Sequence, residues 1–215
     1  MQDADLQAAT ASEPLSMTEE YDMQRSWRTD NDKLTFIVCQ SREPENASQT
    51  VQGGRDDCPE RMIGDINLFL FEPEDDDEDN DDDNSGVQAS NGTNASNALV
   101  GEIELMIARK DLHRQGYGRA ALLSFTAYIL DYWAHIAAEY SNGAGDQTPR
   151  LLQYLRVKIN QSNARSIALF QSIGFVQTAA GANYFGEVEL RWQPSRSELE
   201  TRKDWEASQQ LEYVE

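Results

Sequence analysis

A short segment that follows a β-rich stretch has residue types that could bind a phosphate group. It reads RKDLHRQGYG over residues 109–118, and Gly116 and Gly118 allow a tight turn and a close approach of the backbone to a ligand. The backbone N–H groups at the start of the helix that follows would favour an anion. Arg114 and Arg119 add positive charge. The segment therefore predicts a pyrophosphate site, and the alternative is a tight turn with a glycine-assisted helix start.

Two familiar nucleotide-binding motifs are excluded. No Gly-Lys-Ser/Thr sequence follows the glycines, so the segment is not a Walker loop. The spacing GxGxxG and a surrounding parallel βαβ unit are missing too, which excludes a Rossmann fingerprint.

Two carboxylates precede the glycine segment. Glu102 and Glu104 lie in the stretch VGEIELMIA, residues 100–108. Because side chains alternate along a strand with a period of two, both project from the same strand face. They are candidates for proton transfer, and the alternative is that both face solvent from a half-exposed strand.

The elements that would position these residues follow from the spacing of apolar side chains. Over residues 118–140, Leu122, Phe125, Ile129 and Trp133 recur at helical spacing. Helices are also predicted at 12–27 and 163–173, with Ser16 or Thr18 as a cap for the former. Strands are predicted at 33–40, 62–71, 100–108, 151–159, 176–178 and 187–192. This order predicts an α/β fold in which helices pack on a mixed sheet.

The charge of the chain is strongly acidic and unevenly placed. The 215 residues include 18 Lys+Arg and 38 Asp+Glu, a net charge of −20, and ten of the twelve residues 72–83 are acidic. Such a run repels itself and predicts a disordered insertion, with a docking arm for a basic partner as the alternative. The acidic balance also predicts that neither nucleic acid nor an anionic membrane is a partner.

Composition also suggests how the chain is organised. We expect one domain over 12–192, disordered segments at 1–11, 41–61, 72–98 and 141–150, and a charged tail at 193–215. Cys39 and Cys58 are too few for a disulfide scaffold or a cysteine-based zinc site, so no metal is expected. Without a secretory signal or a long apolar run, a cytoplasmic location is expected, with the nucleus as a second compartment.

Two stretches resemble the GNAT superfamily of N-acetyltransferases. GEIELMIA with HRQGYGRAALLSF resembles its strand, phosphate loop and helix, and KINQSNARSIALFQSIGF resembles the unit that follows; together they span 101–175. TASEPLSMTEEYDMQRSW, DKLTFIV and MIGDINLFL resemble a narrower branch, the N-acetyltransferase 9 family. The resemblance implies a GNAT fold, a central mixed sheet flanked by helices. Compared with the family pattern, the chain lacks a first strand and helix.

The resemblance also implies a co-substrate, acetyl-CoA, and its contacts. The backbone of Met106, Ile107 and Ala108 would pair with the pantetheine arm. Asn163 would contact the thiol end, although a plain helix N-cap fits it equally well. The pyrophosphate would be held by the loop amides of Arg114, Gln115, Gly116, Tyr117, Gly118 and Arg119.

The implied reaction is direct transfer of acetyl to an amine, which must lose a proton to attack. A strand glutamate that acts as base in this superfamily lies at the position of Glu102, and Glu104 is the second candidate. Phe170 stands where many members have a tyrosine that protonates the departing thiolate, so Tyr184, Tyr117 or water would replace it. His113 stands where Gln or Arg is common, and we expect it to be an exposed loop residue.

We therefore predict an N-acetyltransferase that acts on an amine of a protein or peptide. The expected acceptor is the N-terminal α-amine. The branch resemblance suggests tubulin as the substrate. The alternative is a catalytically impaired binding module that keeps the fold and docks a basic partner through the acidic loop.

Overall fold

A computed structural model describes residues 15–40, 50–73, 97–143, 145 and 149–215. Its helices are α1 (Met17–Thr29), α2 (Tyr117–Gly143), α3 (Ala164–Ile173) and α4 (Arg196–Glu200). Its strands are β1 (Lys33–Cys39), β2 (Thr50–Gln52), β3 (Met62–Phe71), β4 (Ala98–Ile107), β5 (Leu151–Asn160), β6 (Val176–Gln177), β7 (Glu187–Trp192) and β8 (Glu212–Val214).

Six of the strands form one mixed sheet. Their order is β1-β3-β4-β5-β7-β6, and only the pair β4 and β5 is parallel. Parallel neighbours need a crossover connection, and here α2 supplies it. The α/β fold with a mixed sheet and flanking helices is thus as predicted.

The hydrophobic core lies on one face of this sheet. Leu68, Ile103, Leu155 and Leu190 point to that face from four adjacent strands and are almost fully buried. Side chains of α2 and α3 belong to the same cluster, among them Leu122, Phe125, Ile129, Phe170 and Ile173. The two helices therefore pack on this face.

The other face of the sheet carries polar side chains where β3, β4 and β5 lie side by side. We call this region the polar face; it consists of Asp65, Asn67, Glu102, Glu104, Arg156 and Lys158. The strand register places Asn67 directly opposite Glu104, and Glu102 directly opposite Arg156. Directly opposed residues share a face and lie close enough to interact.

Helix α1 begins later than the sequence pattern predicted. Ser16 is its N-cap: the Ser16 hydroxyl accepts a hydrogen bond from the Glu19 N–H, and the Glu19 carboxylate accepts one from the Ser16 N–H. This capping box starts the helix at Met17. Residues 1–14 lie outside the described part, and the lack of a first strand and helix stays a prediction.

The structure places parts of regular elements within three of the segments that were expected to be disordered. Residues 50–52 form β2, which pairs in parallel with β8, more than 150 residues later in the chain. Tyr213 strengthens the contact by donating its hydroxyl hydrogen to Asp57 Oδ2 at 2.8 Å. Helix α2 continues to Gly143, and β4 begins at Ala98.

The predicted charged tail also has structure. It contains α4, whose Leu199 is fully buried in the core, and it ends with β8. Residues 41–49, 74–96, 144 and 146–148, which include most of the acidic run, lie outside the described part. Among the described helices, none has both the length and the apolar character that crossing a bilayer requires.

Candidate functional site

The candidate site lies where the two parallel strands diverge. β4 and β5 pair from Ala98 with Leu151 to Glu102 with Arg156. Beyond this point β4 continues to Ile107 and β5 to Asn160 without pairing with each other, although each stays paired to its other neighbour. The result is an opening at the carboxyl ends of the two strands, the place where open α/β sheets bind ligands.

The predicted pyrophosphate loop lies beside this opening, at the start of α2. The Ala120 N–H donates to Gly116 O at 2.9 Å. The amides of Tyr117, Gly118 and Arg119 therefore precede the first helical hydrogen bond, as the first amides of any helix do. The first turn contains no acidic residue. The loop thus presents N–H groups and the positive end of a helix dipole without a competing carboxylate.

The turn itself is made by different residues from those expected. Gly116 has φ +90° and Arg114 has φ +63°, both in the left-handed region. Gly118 lies within α2 at ordinary φ, and a methyl group there would make only normal contacts, the shortest being 3.4 Å to Leu169. The prediction that Gly118 serves the turn is therefore wrong, and Arg114 takes that role.

The two arginines of the loop have different environments. Arg114 is exposed, and among the described residues no hydrogen bond or ion pair involves its guanidinium. Arg119 instead pairs with Asp204 at 2.5 Å and donates to Ser172 Oγ at 2.6 Å. The hydrogen bond from Arg119 lowers the pKa of Asp204. Asp204 thus offsets the positive charge of the Arg119 side chain, whereas the Arg119 amide stays in the first turn.

The three backbone positions expected to pair with a pantetheine arm are not equivalent. The Ala108 N–H donates to Ile63 O at 2.8 Å, and in an antiparallel ladder the next residue to face β3 is Met106. Ile107 is therefore the residue whose backbone faces the opening. Its carbonyl accepts a hydrogen bond from His113 Nε2 at 2.8 Å, which requires the hydrogen to be on Nε2. His113 is exposed, as expected.

Asn163 lies across the opening, between the end of β5 and α3. It is the N-cap of α3, and its Oδ1 accepts a hydrogen bond from the Ser166 N–H at 3.2 Å. Asn163 Oδ1 therefore acts as an ordinary helix N-cap, as the alternative interpretation of this residue predicted. The side chain nevertheless lies at the carboxyl end of β5, on the rim of the opening.

The two candidate bases differ in what surrounds them. Glu102 Oε2 lies 2.7 Å from Arg156 Nε and 3.6 Å from Lys158 Nζ, so this oxygen already forms ion pairs with two cations. Glu104 is exposed to solvent and has no ion pair among the described residues. Desolvation by surrounding protein, followed by the charges of Glu102 and Asp65, raises the pKa of Glu104.

Phe170, which stands where a tyrosine is common, and the two tyrosines that could replace it have different environments. Phe170 is buried in the core, and its ring packs edge-on against Phe175 at 5.0 Å between centroids. Tyr184 is 97% exposed and contacts Phe185 instead. Tyr117 is the first residue of α2 and is half-buried at the loop.

The sequence analysis missed two polar residues beside Glu104. Asp65 and Asn67 of β3 lie on the polar face, and the Asn67 Nδ2 donates to Asp65 Oδ1 at 3.5 Å. Asn67 is only 5% exposed. Their signal was the polar pair at i and i+2 within MIGDINLFLF, a strand whose other residues, apart from Gly64, are apolar.

Comparisons with known proteins agree with this geometry. A family model described as an acetyltransferase (GNAT) domain matches residues 1–176. An N-acetyltransferase 9-like protein of Schizosaccharomyces pombe is 40% identical over 193 residues, 88% of this chain and 83% of that protein. The alpha/beta-tubulin-N-acetyltransferase 9 of Homo sapiens is 33% identical over 198 residues, 92% of this chain and 73% of that protein.

Among solved structures, an aminoglycoside acetyltransferase in complex with coenzyme A has a similar fold. The TM-score is 0.50 with 10% identity, and the match covers 92% of this chain and 86% of that one. At this identity the likeness concerns the fold alone.

Proposed function

Because this chain belongs to the GNAT acetyltransferase family, as an N-acetyltransferase of the N-acetyltransferase 9-like branch, we propose that it transfers acetyl from acetyl-CoA to the free α-amine of a protein N-terminus. Family membership favours the predicted enzyme over the alternative of a binding module. The proposal has three parts, which are the acetyl donor, the chemistry and the acceptor.

The observation that carries the donor part is the divergence of β4 and β5 beside the start of α2. The residues present fit acetyl-CoA: the amides of Tyr117, Gly118 and Arg119 and the exposed Arg114 suit a pyrophosphate. Ile107 faces the opening, where a pantetheine arm would continue the sheet, provided that His113 releases the Ile107 carbonyl. Acetyl-CoA supplies the activated acetyl thioester.

We assign the role of general base, which removes a proton from the amine, to Glu104 rather than to Glu102. Glu102 is held by Arg156 and Lys158, whereas Glu104 is accessible, and its raised pKa makes it a stronger proton acceptor than an ordinary glutamate. Glu104 also lies two residues beyond the last pair of β4 with β5, beside the opening. This position suits removal of a proton from an amine that attacks a thioester held in the opening.

The atoms of the reaction balance as follows. One proton passes from the ammonium group to Glu104, and the amine nitrogen then forms a bond to the carbonyl carbon. The carbon–sulfur bond breaks, the electron pair leaves with sulfur, and a second proton lost from nitrogen returns to the thiolate through water. Because a thiol of ordinary pKa, about 8.5, leaves readily as its anion, Phe170 need not be replaced by an acid.

Tubulin is the acceptor suggested by the relatives' names. Proteins of Homo sapiens and Drosophila melanogaster that are 33% and 34% identical to this chain carry the name alpha/beta-tubulin-N-acetyltransferase 9. The acceptor class proposed for this chain is therefore the N-terminal α-amine of α- and β-tubulin. The net charge of −20 suits a cationic acceptor group, but it opposes long-range attraction to an acidic protein surface.

A comparison of three acceptors tests the proposal. Thiol release from acetyl-CoA is followed with a lysine-free peptide that has a free α-amine, with the same peptide blocked at its N-terminus and carrying one lysine, and with spermidine. We expect turnover with the first peptide alone. Faster turnover with either of the others, or no binding of acetyl-CoA by calorimetry, would contradict the proposal.

A further inference from the structure

Two side-chain oxygens on the polar face are buried and have no hydrogen-bond partner among the residues that the structure describes. They are Asn67 Oδ1 and Asp65 Oδ2. Folded proteins satisfy most of their buried polar groups, so each exception calls for an explanation. Here two exceptions belong to neighbouring side chains that already contact each other, through Asn67 Nδ2 and Asp65 Oδ1 at 3.5 Å. The two atoms without a partner are both hydrogen-bond acceptors.

The third acceptor nearby is Glu104. It lies directly opposite Asn67 on the neighbouring strand, on the same face of the sheet. Its charge and that of Asp65 act on each other closely enough for Asp65 to contribute to the raised pKa of Glu104. Asn67 thus lies between two carboxylates, one on its own strand and one across from it.

No cation of the described residues neutralises this group. Arg156 and Lys158, the positive side chains of the polar face, both pair with Glu102. Neither Asp65 nor Glu104 has an ion pair in the described part of the chain, and desolvation raises the pKa of both. The ionised carboxylates therefore lack the compensation that Glu102 has.

We propose that Asp65, Asn67 and Glu104 form a receptor for the protonated amine of the acceptor. The inference rests on the proposed function, and it adds the residues that recognise the amine before its proton is removed. A primary ammonium group has three N–H donors, which match the Asp65 carboxylate, the Asn67 carbonyl and the Glu104 carboxylate. Asp65 and Asn67 bind and orient the cation, and Glu104 then takes one proton from it.

The receptor also explains why the sequence places Asp and Asn on an otherwise apolar strand. A bound ammonium would give both buried oxygens a donor and would offset one of the two negative charges of Asp65 and Glu104. An uncharged nucleophile such as an alcohol provides one donor and no charge, so this receptor selects amines.

Two substitutions on β3 test the receptor. Asp65→Asn keeps the shape of the side chain and removes its charge, and Asn67→Leu removes both polar atoms. For the peptide amine that turns over best with the wild-type protein, we expect each change to raise KM by roughly 10-fold or more, the size of a lost hydrogen bond to a charged group. The KM for acetyl-CoA stays unchanged.

Glu189→Gln is the matched control. Glu189 is a carboxylate on the same face of the sheet, but it belongs to β7 and pairs with Arg191 at 2.5 Å. Its substitution removes the same charge from the same face. We expect the KM for the peptide amine to stay within about twofold of the wild-type value, because Glu189 already pairs with Arg191 and β5 separates it from the receptor.

A binding measurement separates recognition from turnover. The same peptide is titrated calorimetrically into the wild-type protein and both variants, each saturated with coenzyme A. Affinity falls in parallel with the rise in KM if the receptor is real. Because ionised Asp65 is desolvated and has no cationic partner among the described residues, Asp65→Asn should not lower the melting temperature. This variant decides the test if Asn67→Leu does not fold.

The outcomes separate this inference from the proposed function. If the wild-type protein acetylates no peptide amine, the proposed function fails, and the inference fails with it. If the wild-type protein is active and Asp65→Asn keeps both KM and peptide affinity, the receptor is contradicted and the proposed function stands. The same holds if Glu189→Gln raises KM as much as Asp65→Asn does.

Discussion

At the scale of single residues, the two strand glutamates have different environments. Glu102 pairs with Arg156, which is 7% exposed, so its carboxylate compensates a buried cation. Glu104 has no such partner in the described part of the chain and stands beside the opening between β4 and β5. Family resemblance pointed first to Glu102, and the ion pairs move the assignment to its neighbour on the same face.

Substituting glutamine for Glu104 should therefore reduce mainly the rate, whereas the same substitution at Glu102 should reduce mainly the stability. Glu104→Gln is expected to lower kcat by about 100-fold or more, because the proton acceptor is lost, with little change in melting temperature. Glu102→Gln leaves Arg156 without its carboxylate and should reduce the free energy of unfolding by about 2 kcal/mol, below the loss for fully buried pairs. Kinetics and thermal unfolding of both variants check this. A larger loss of kcat in Glu102→Gln would reverse the assignment.

The pH dependence of the rate follows from the same residue. Glu104 must be ionised to accept a proton, and its pKa is raised, so kcat/KM should fall with decreasing pH at a higher pH than an ordinary glutamate would give. Glu102→Gln removes a negative charge near Glu104 and therefore lowers the pKa of Glu104. The fall in kcat/KM should then occur at a lower pH in this variant. A fall in kcat at low pH, measured at saturating amine, that persists in Glu104→Gln would show that another group is the base.

At the scale of elements, the turn before α2 rests on one glycine. Gly116 has φ +90° with no atom near its missing side chain, so Gly116→Ala meets backbone strain alone. We expect a loss of about 1 kcal/mol in stability together with weaker binding of acetyl-CoA. Gly118→Ala, in helical conformation with open contacts, should instead stabilise the fold by up to about 1 kcal/mol. Equal losses in both variants would contradict this description of the loop.

Most elements could be predicted because their signals are local. Alternation along β3, β5 and β7 and helical spacing along α2 gave bounds that lie within a few residues of those observed. β2, β8 and α4 could not be predicted, because β2 and β8 are short and become strands only by pairing with each other across the chain. The burial of Leu199 likewise depends on core residues that lie far from it in sequence.

Less of the candidate site could be predicted than of the fold. The loop and the two glutamates were visible as residue types, but which charges are free depends on partners brought together by folding. Asp204 pairs with Arg119, and Arg156 pairs with Glu102, although the partners lie 85 and 54 residues apart in the sequence. Asp65 and Asn67 carried only a weak pattern, and it is the register of β3 with β4 that places them beside Glu104.

At the scale of the whole molecule, half of the net charge of −20 comes from one short run of the sequence. Ten of the acidic residues lie at 72–83, and all of these except Glu72 fall outside the described part. The site itself combines an exposed arginine at a helix start with an uncompensated acidic group on the polar face. This arrangement suits an anionic donor on one side of β4 and a cationic acceptor on the other.

The position of the acetyl group on a peptide tests the central claim most directly. The protein is incubated with acetyl-CoA and a peptide that has both a free α-amine and an internal lysine, and the product is sequenced by tandem mass spectrometry. We predict a single acetyl group on the N-terminal nitrogen, formed by the wild-type protein and nearly absent with Glu104→Gln. Acetylation of the lysine, or none by a protein that binds acetyl-CoA, would contradict the account.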